Sequence, residues 1–350
     1  QLSLRRQMQT YSAKRGIVLV MDALDGSILA MAVEPTYDPN RYYEAEVAAF
    51  KNWAVSDSYE PGSTFKPINV AIALASKAVE PGFTVYDEGR IQIGEWPIQN
   101  ADFSARGGRG GLTLAEVLKY SSNVGMVHLM EALAPEQYFD WLQRLKIDQP
   151  TGIELPAETA GQLKERNQFV GSRIEPATTA FGQGFALTPI QLLRLHAALA
   201  NGGKLVSPHV VKGLSDRQGQ LRWQPPRPQP QDLFDAETAQ QVVAMMETVV
   251  QDGTGKPAQV AGYRLAGKTG TAQKALNGYY TDARITSFVG ILPAEAPRYV
   301  VLAIVDEPWG DDAYGSTVAA PIVKAVTEAL VAVEGIPPSD LATPATNEAE

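Results

Sequence analysis

Strand-like apolar runs stand near both ends of this chain, and helix-like patterns fill the stretch between them. GIVLVMD (16–22) and SILAMAV (27–33) flank Asp25-Gly26, which reads as a hairpin. YRLAGKTGTAQK (263–274), ARITSFVGIL (283–292) and RYVVLAIVD (298–306) come late, with PAEAP (293–297) as a short loop joining the last two. Such a distribution predicts an α+β layering, in which one antiparallel sheet is interrupted by an inserted helical subdomain at roughly 60–260. Residues 1–15 read as a polar helix and 319–334 as a closing helix, so that 1–335 form one domain. IPPSDLATPATNEAE (336–350) reads as a disordered tail.

Within the middle, Thr113 with Glu116 fits a capping box ahead of LAEVLKYSS. Thr188, Pro189 and Gln191 repeat that logic, and Asn201-Gly202-Gly203 closes the helix they open. Val242, Val243, Met246, Val249 and Val250 recur at helical spacing. GGRGG (107–111) and WQPPRPQPQ (223–231) read as surface connectors.

Composition excludes several classes of function. Thirty Lys and Arg against 39 Asp and Glu leave a net charge of −9, which argues against nucleic acid as a partner. The absence of cysteine removes thiol catalysis, cysteine-ligated zinc and disulfides. Three histidines, His128, His196 and His209, lie far apart without metal-type spacing, so neither a metal nor a cofactor is expected. No apolar run approaches the roughly 18 residues of a membrane span, and no signal peptide is seen. A start at Gln1 rather than Met reads as an excised portion of a longer protein.

Three short motifs carry chemistry. Ser63-x-x-Lys66 follows a turn at Pro61-Gly62, and Pro67 places it in the first turn of a helix, where residues three apart share a face. Ser121-x-Asn123 and Lys268-Thr269-Gly270 follow in that order. S-x-x-K alone arises about once by chance in a chain of this length, but the three together make up the penicillin-binding and serine β-lactamase set. Ser63 is a nucleophile in need of a base, and Lys66 serves only when neutral, which burial and a nearby Lys268 favour. Ser121 offers a hydroxyl for proton relay, and the Asn123 amide can hold both the lysine and a substrate amide. Lys268 supplies positive charge for a substrate carboxylate, and Thr269 and Thr271 add hydroxyls. Gly270, inside a strand, permits close backbone approach.

With these motifs the chain resembles the transpeptidase domain of class B penicillin-binding proteins, most closely the cell-division (septal) branch. GIVLVMDALDGSILAMAVEPTYDPN, FGQG (181–184), the GTG of 253–255 and YGSTVAAPIVK (314–324) extend the likeness over nearly the whole chain. The resemblance implies a serine β-lactamase/transpeptidase-like fold and a D,D-transpeptidase that cross-links peptidoglycan stem peptides through a Ser63 acyl-enzyme. It also implies covalent inhibition by β-lactam antibiotics and an oxyanion hole from the backbone N–H groups of Ser63 and Thr271. Tyr314 then walls the acyl pocket. The same likeness implies a glycan-polymerising division partner and an extracytoplasmic location through an N-terminal anchor outside this chain. A D,D-carboxypeptidase or serine β-lactamase, with Glu154 or Glu158 holding water, is the alternative enzyme. A β-lactam sensor domain without turnover is the alternative of another class.

Overall fold

The computed structural model describes residues 1–276 and 279–339. Among them, five antiparallel strands form the main sheet, in the spatial order Ala266–Leu276, Tyr279–Leu292, Tyr299–Asp306, Arg15–Asp22 and Ile28–Glu34. The first strand of the chain thus sits inside the sheet, with Leu19 opposite both Leu302 and Met31. Its run is apolar without alternation because both faces are covered. Ile17, Leu19 and Met21 join one core with the helices of the middle, while Val18 and Val20 join a second core with Leu4, Val318, Ile322 and Val323. That split follows from side chains alternating across a strand.

The closing helix, Ala320–Glu334, continues a π-turn at Gly315–Ala319. Together these 20 residues contain an 18-residue window of mean hydropathy 1.5 and are long and apolar enough to cross a membrane, although no such run stands out in the sequence. Ala320, Ile322 and Val323 instead pack into the second core of the sheet. A helix lining the core and a membrane span share the same composition.

Both capping boxes form, on Leu114–Tyr120 and Pro189–Ala200. The interval 60–260 is not purely helical, however. Thr84–Asp87 pairs with Gly110–Thr113, and Arg90–Ile93 pairs with Trp96–Gln99. GGRGG is therefore partly strand, with Gly110 opposite Asp87 and the Arg109 guanidinium 4.2 Å from the Tyr120 ring centroid. Trp223 and Gln231, at the two ends of the proline-rich stretch, also pair, with Leu214 and Leu205. Four-residue ribbons are too short to show a period, so the sequence pattern hides them. Of the expected tail, Ser339 N–H donates to Gly262 O at 2.8 Å, while 340–350 lie outside the described residues.

Candidate active site

Glycines shape the turn that carries Ser63. Gly62 has φ +55°, and its N–H donates to Gly182 O at 2.9 Å. A Cβ on Gly182, itself at φ +87°, would lie 2.0 Å from Gly62 O, so only glycine fits there. FGQG thus backs the Ser63 turn from behind. Glu60 adds a tie, its carboxylate accepting from Gly184 N–H at 3.0 Å. Gly62–Phe65 forms one tight 3₁₀ turn and Lys66–Ala75 continues as an α-helix with Pro67 in its first turn. Ser63 stays partly exposed while Thr64, Phe65 and Lys66 are buried.

The Lys66 amine reaches across to the second motif. Its Nζ donates to Ser121 O at 2.5 Å and to Asn123 Oδ1 at 2.8 Å, with Ser121 Oγ at 3.3 Å. Among the described residues, no hydrogen bond joins it to Ser63 Oγ. Catalytic contacts are often long before substrate arrives. Burial, followed by the charge of Lys268, holds the Lys66 amine well below the usual lysine range. Ser121 caps the helix Leu114–Tyr120 in the left-handed region, at φ 60° and ψ 37°. That conformation costs about 1–3 kcal/mol in a residue other than glycine, and it aims the hydroxyl between two lysines. Lys268 Nζ donates to the same Ser121 Oγ at 3.0 Å, and burial lowers the Lys268 pKa to about 7.

Lys268, Thr269, Gly270 and Thr271 lie on Ala266–Leu276, an edge strand of the sheet. A Cβ on Gly270 would meet Ser287 Oγ at 2.4 Å and Thr64 Cγ2 at 2.9 Å, so the missing side chain lets this strand press against the Ser63 turn. Thr269 Oγ1 lies 2.8 Å from Thr254 Oγ1, which gives the GTG segment a contact with the site. Thr271 Oγ1 accepts from Gly315 N–H at 3.0 Å, placing the exposed Tyr314 beside the strand.

All nine residues singled out in the sequence therefore belong to one neighbourhood. Asp87, Gln99 and Asn100, which flank the Ser121–Asn123 turn, were not anticipated because no motif marks them. His128 stands apart, bridging Glu88 and Glu131 at 2.9 Å each. Glu158 accepts from Thr151 N–H at 2.7 Å and Gly152 N–H at 2.9 Å, and Glu154 from Val210 N–H at 3.0 Å.

Comparison with known proteins agrees with this geometry. Residues 16–328 match the family described as the penicillin binding protein transpeptidase domain. A peptidoglycan D,D-transpeptidase FtsI homolog of Mesostigma viride is 41% identical over 348 residues, covering 94% of this chain and 58% of the relative. Its counterpart in Chlorokybus atmophyticus is 35% identical over 439 residues, covering 96% and 65%. The chain thus spans about three fifths of the length of these curated relatives. Penicillin binding protein 3 of Mycobacterium tuberculosis, solved with aztreonam, superposes with a TM-score of 0.87 at 32% identity, covering 97% of this chain and 77% of that one. The chain belongs to the penicillin-binding protein transpeptidase domain family, as a member of its class B branch.

Proposed function

We propose that the chain catalyses D,D-transpeptidation of peptidoglycan stem peptides through an acyl-enzyme on Ser63, in septal wall synthesis. One observation carries this reading: a buried Lys66 amine, held well below the usual lysine range, shares the Ser121 hydroxyl with Lys268, beside the Ser63 turn. A neutral amine has two N–H donors and one lone pair. Ser121 O and Asn123 Oδ1 take the donors, which leaves the lone pair for a hydroxyl proton.

The steps follow from that arrangement. Lys66 takes the Ser63 proton as Oγ attacks the penultimate D-Ala carbonyl, and the oxyanion settles against the Ser63 and Thr271 N–H groups. The proton then passes through Ser121 to the leaving D-Ala amine as the peptide bond breaks. Lys268, with Thr269 and Thr271, receives the terminal carboxylate. Gly270 leaves the strand edge free to pair with the extended stem peptide, and Tyr314 walls the acyl group. A neighbouring stem amine attacks the ester, gives up its proton by the reverse route and releases Ser63. β-Lactams enter the first half and stall at the ester. The whole protein acts at the extracytoplasmic face of the membrane with a glycan-polymerising partner.

Intact-protein mass spectrometry after penicillin treatment tests the centre of this reading. One covalent equivalent is expected on Ser63, and none in Ser63→Ala. Acceptor choice is tested with a thioester donor, since added D-amino acid should divert product from hydrolysis to aminolysis. Glu154 accepts from Val210 N–H and Glu158 from Thr151 and Gly152 N–H, and among the described residues no hydrogen bond ties either carboxylate to the Ser63 turn. Rapid penicillin turnover without an aminolysis product would put a β-lactamase in place of the transpeptidase.

A further inference from the structure

Behind the Ser121–Asn123 turn lie two buried polar residues that the chemistry above does not use. Asn100, 2% exposed, directs its Oδ1 at the start of the helix Asn123–Met130. That oxygen accepts from Asn123 N–H at 2.8 Å, Val124 N–H at 3.2 Å and the Ser122 hydroxyl at 3.3 Å. The first N–H groups of a helix have no partner within it, so Asn100 acts as a cap supplied from another segment. A side-chain amide offers either its oxygen or its nitrogen, and Asp87 decides which. Both Asp87 oxygens accept from Asn100 Nδ2 at 2.8 Å, and a carboxylate has no proton to give, so Oδ1 must face the helix. Gly89 N–H, at 2.7 Å, holds the carboxylate in turn.

The neighbouring main chain completes the grip. Asn123 Nδ2 donates to Gln99 O at 2.9 Å, which leaves Asn123 Oδ1 directed at Lys66 Nζ. Asp87 is fully buried and, among the described residues, forms no ion pair. A carboxylate buried on those terms is costly, which points to a role beyond packing. We propose that Asp87 and Asn100 are a positioning pair that fixes the Ser121–Asn123 turn, and through it sets Lys66 Nζ and Ser121 Oγ for proton transfer. The left-handed backbone at Ser121 makes such a hold necessary, because relaxing it would swing the carbonyl and the hydroxyl that face Lys66. The inference rests on the reading of Ser63 as the acylated residue.

The experiment measures the acylation rate constant with penicillin, normalised to the amount of protein that finally labels. Asp87→Asn and Asn100→Asp should each slow acylation by about 10²-fold, the scale expected when reacting groups shift by about 1 Å. Combining both substitutions exchanges amide and carboxylate: with its oxygen on Gly89 N–H, the new amide donates an N–H to the new carboxylate, whose other oxygen still accepts from the helix start, so one of the two bonds between positions 87 and 100 is kept. The combined variant should therefore recover to within about five-fold of the parent, a rescue that a residue serving stability alone would not show. Single variants that acylate within about three-fold of the parent overturn the inference, as does a folded combined variant no faster than the slower single one. Where a variant does not fold, hydrogen exchange of the unaltered protein decides. A peptide covering residues 120–126 should exchange as slowly as a helix interior, and exchange at the speed of an exposed turn overturns the inference. An adduct that survives Ser63→Ala would overturn the site reading, and the inference with it. A Ser63-only adduct formed at full rate in the variants overturns the inference alone.

Discussion

Lys66 and Lys268 meet at one hydroxyl, so the charge on either is felt by the other. In the proposed mechanism the Lys66 amine is the base, so its rate contribution should be lost as pH falls through its own pKa. Lys268 helps hold that pKa down, whereas Asp87 and Asp102 act in the opposite direction. Replacing Lys268 by Met should therefore raise the Lys66 pKa and move the acid limb of the residual acylation profile to higher pH. A limb that stays in place or moves to lower pH would show that the two amines are uncoupled. Lys66→Arg should lose about 10³-fold or more in acylation, because a guanidinium stays protonated. Ser121→Gly separates backbone strain from chemistry. Glycine relieves the left-handed φ, so the melting temperature should hold or rise, while loss of the proposed relay hydroxyl should lower acylation by about 10²-fold or more.

Gly182 touches none of the proposed reacting groups, yet its segment holds the Ser63 turn in place. Gly182→Ala should cost about 1–3 kcal/mol of stability and slow acylation, since the new methyl must displace Gly62 O. Denaturant unfolding and acylation kinetics on the same sample check both halves, and an alanine variant that matches the parent in both would remove FGQG from the site. The sequence marks the importance of this element only through likeness to other proteins. Its physical reason appears once folding brings Gly62 against it. Ser63, Lys66, Ser121, Asn123 and Lys268 were legible because each motif is a local spacing whose chemistry can be read without the fold. Asp87 and Asn100 were not, because they sit 13 residues apart beside ribbons too short to show a pattern. Arg15–Asp22 and Tyr299–Asp306 were legible because an apolar run buried on both faces has few other fates.

For the molecule as a whole, two fully buried lysines in the site oppose folding wherever they carry charge. The Lys268 pKa falls from the ordinary lysine value to about 7 on folding, so the unfolded chain binds more protons between pH 7 and about 10.4. Lys268 thus makes stability rise with pH across that window. In Lys268→Met this rise should shrink, and the variant should melt at least about 2 °C higher than the parent at pH 7 while losing activity. Thermal unfolding across the pH range checks this, and an unchanged slope would mean that Lys268 meets solvent.

The position of Arg15–Asp22 inside the sheet sets a schedule for synthesis. Its hairpin partner, Ile28–Glu34, emerges at once, but its other neighbour, Tyr299–Asp306, is made roughly 280 residues later. At about 5–20 residues per second, one edge of GIVLVMD waits on the order of 14 to 60 seconds for its partner. Throughout that interval the nascent chain presents an unpaired apolar edge that another copy can join as readily as the native strand. Slow or crowded synthesis should therefore yield aggregates seeded at residues 16–22, even though the finished protein hides them completely.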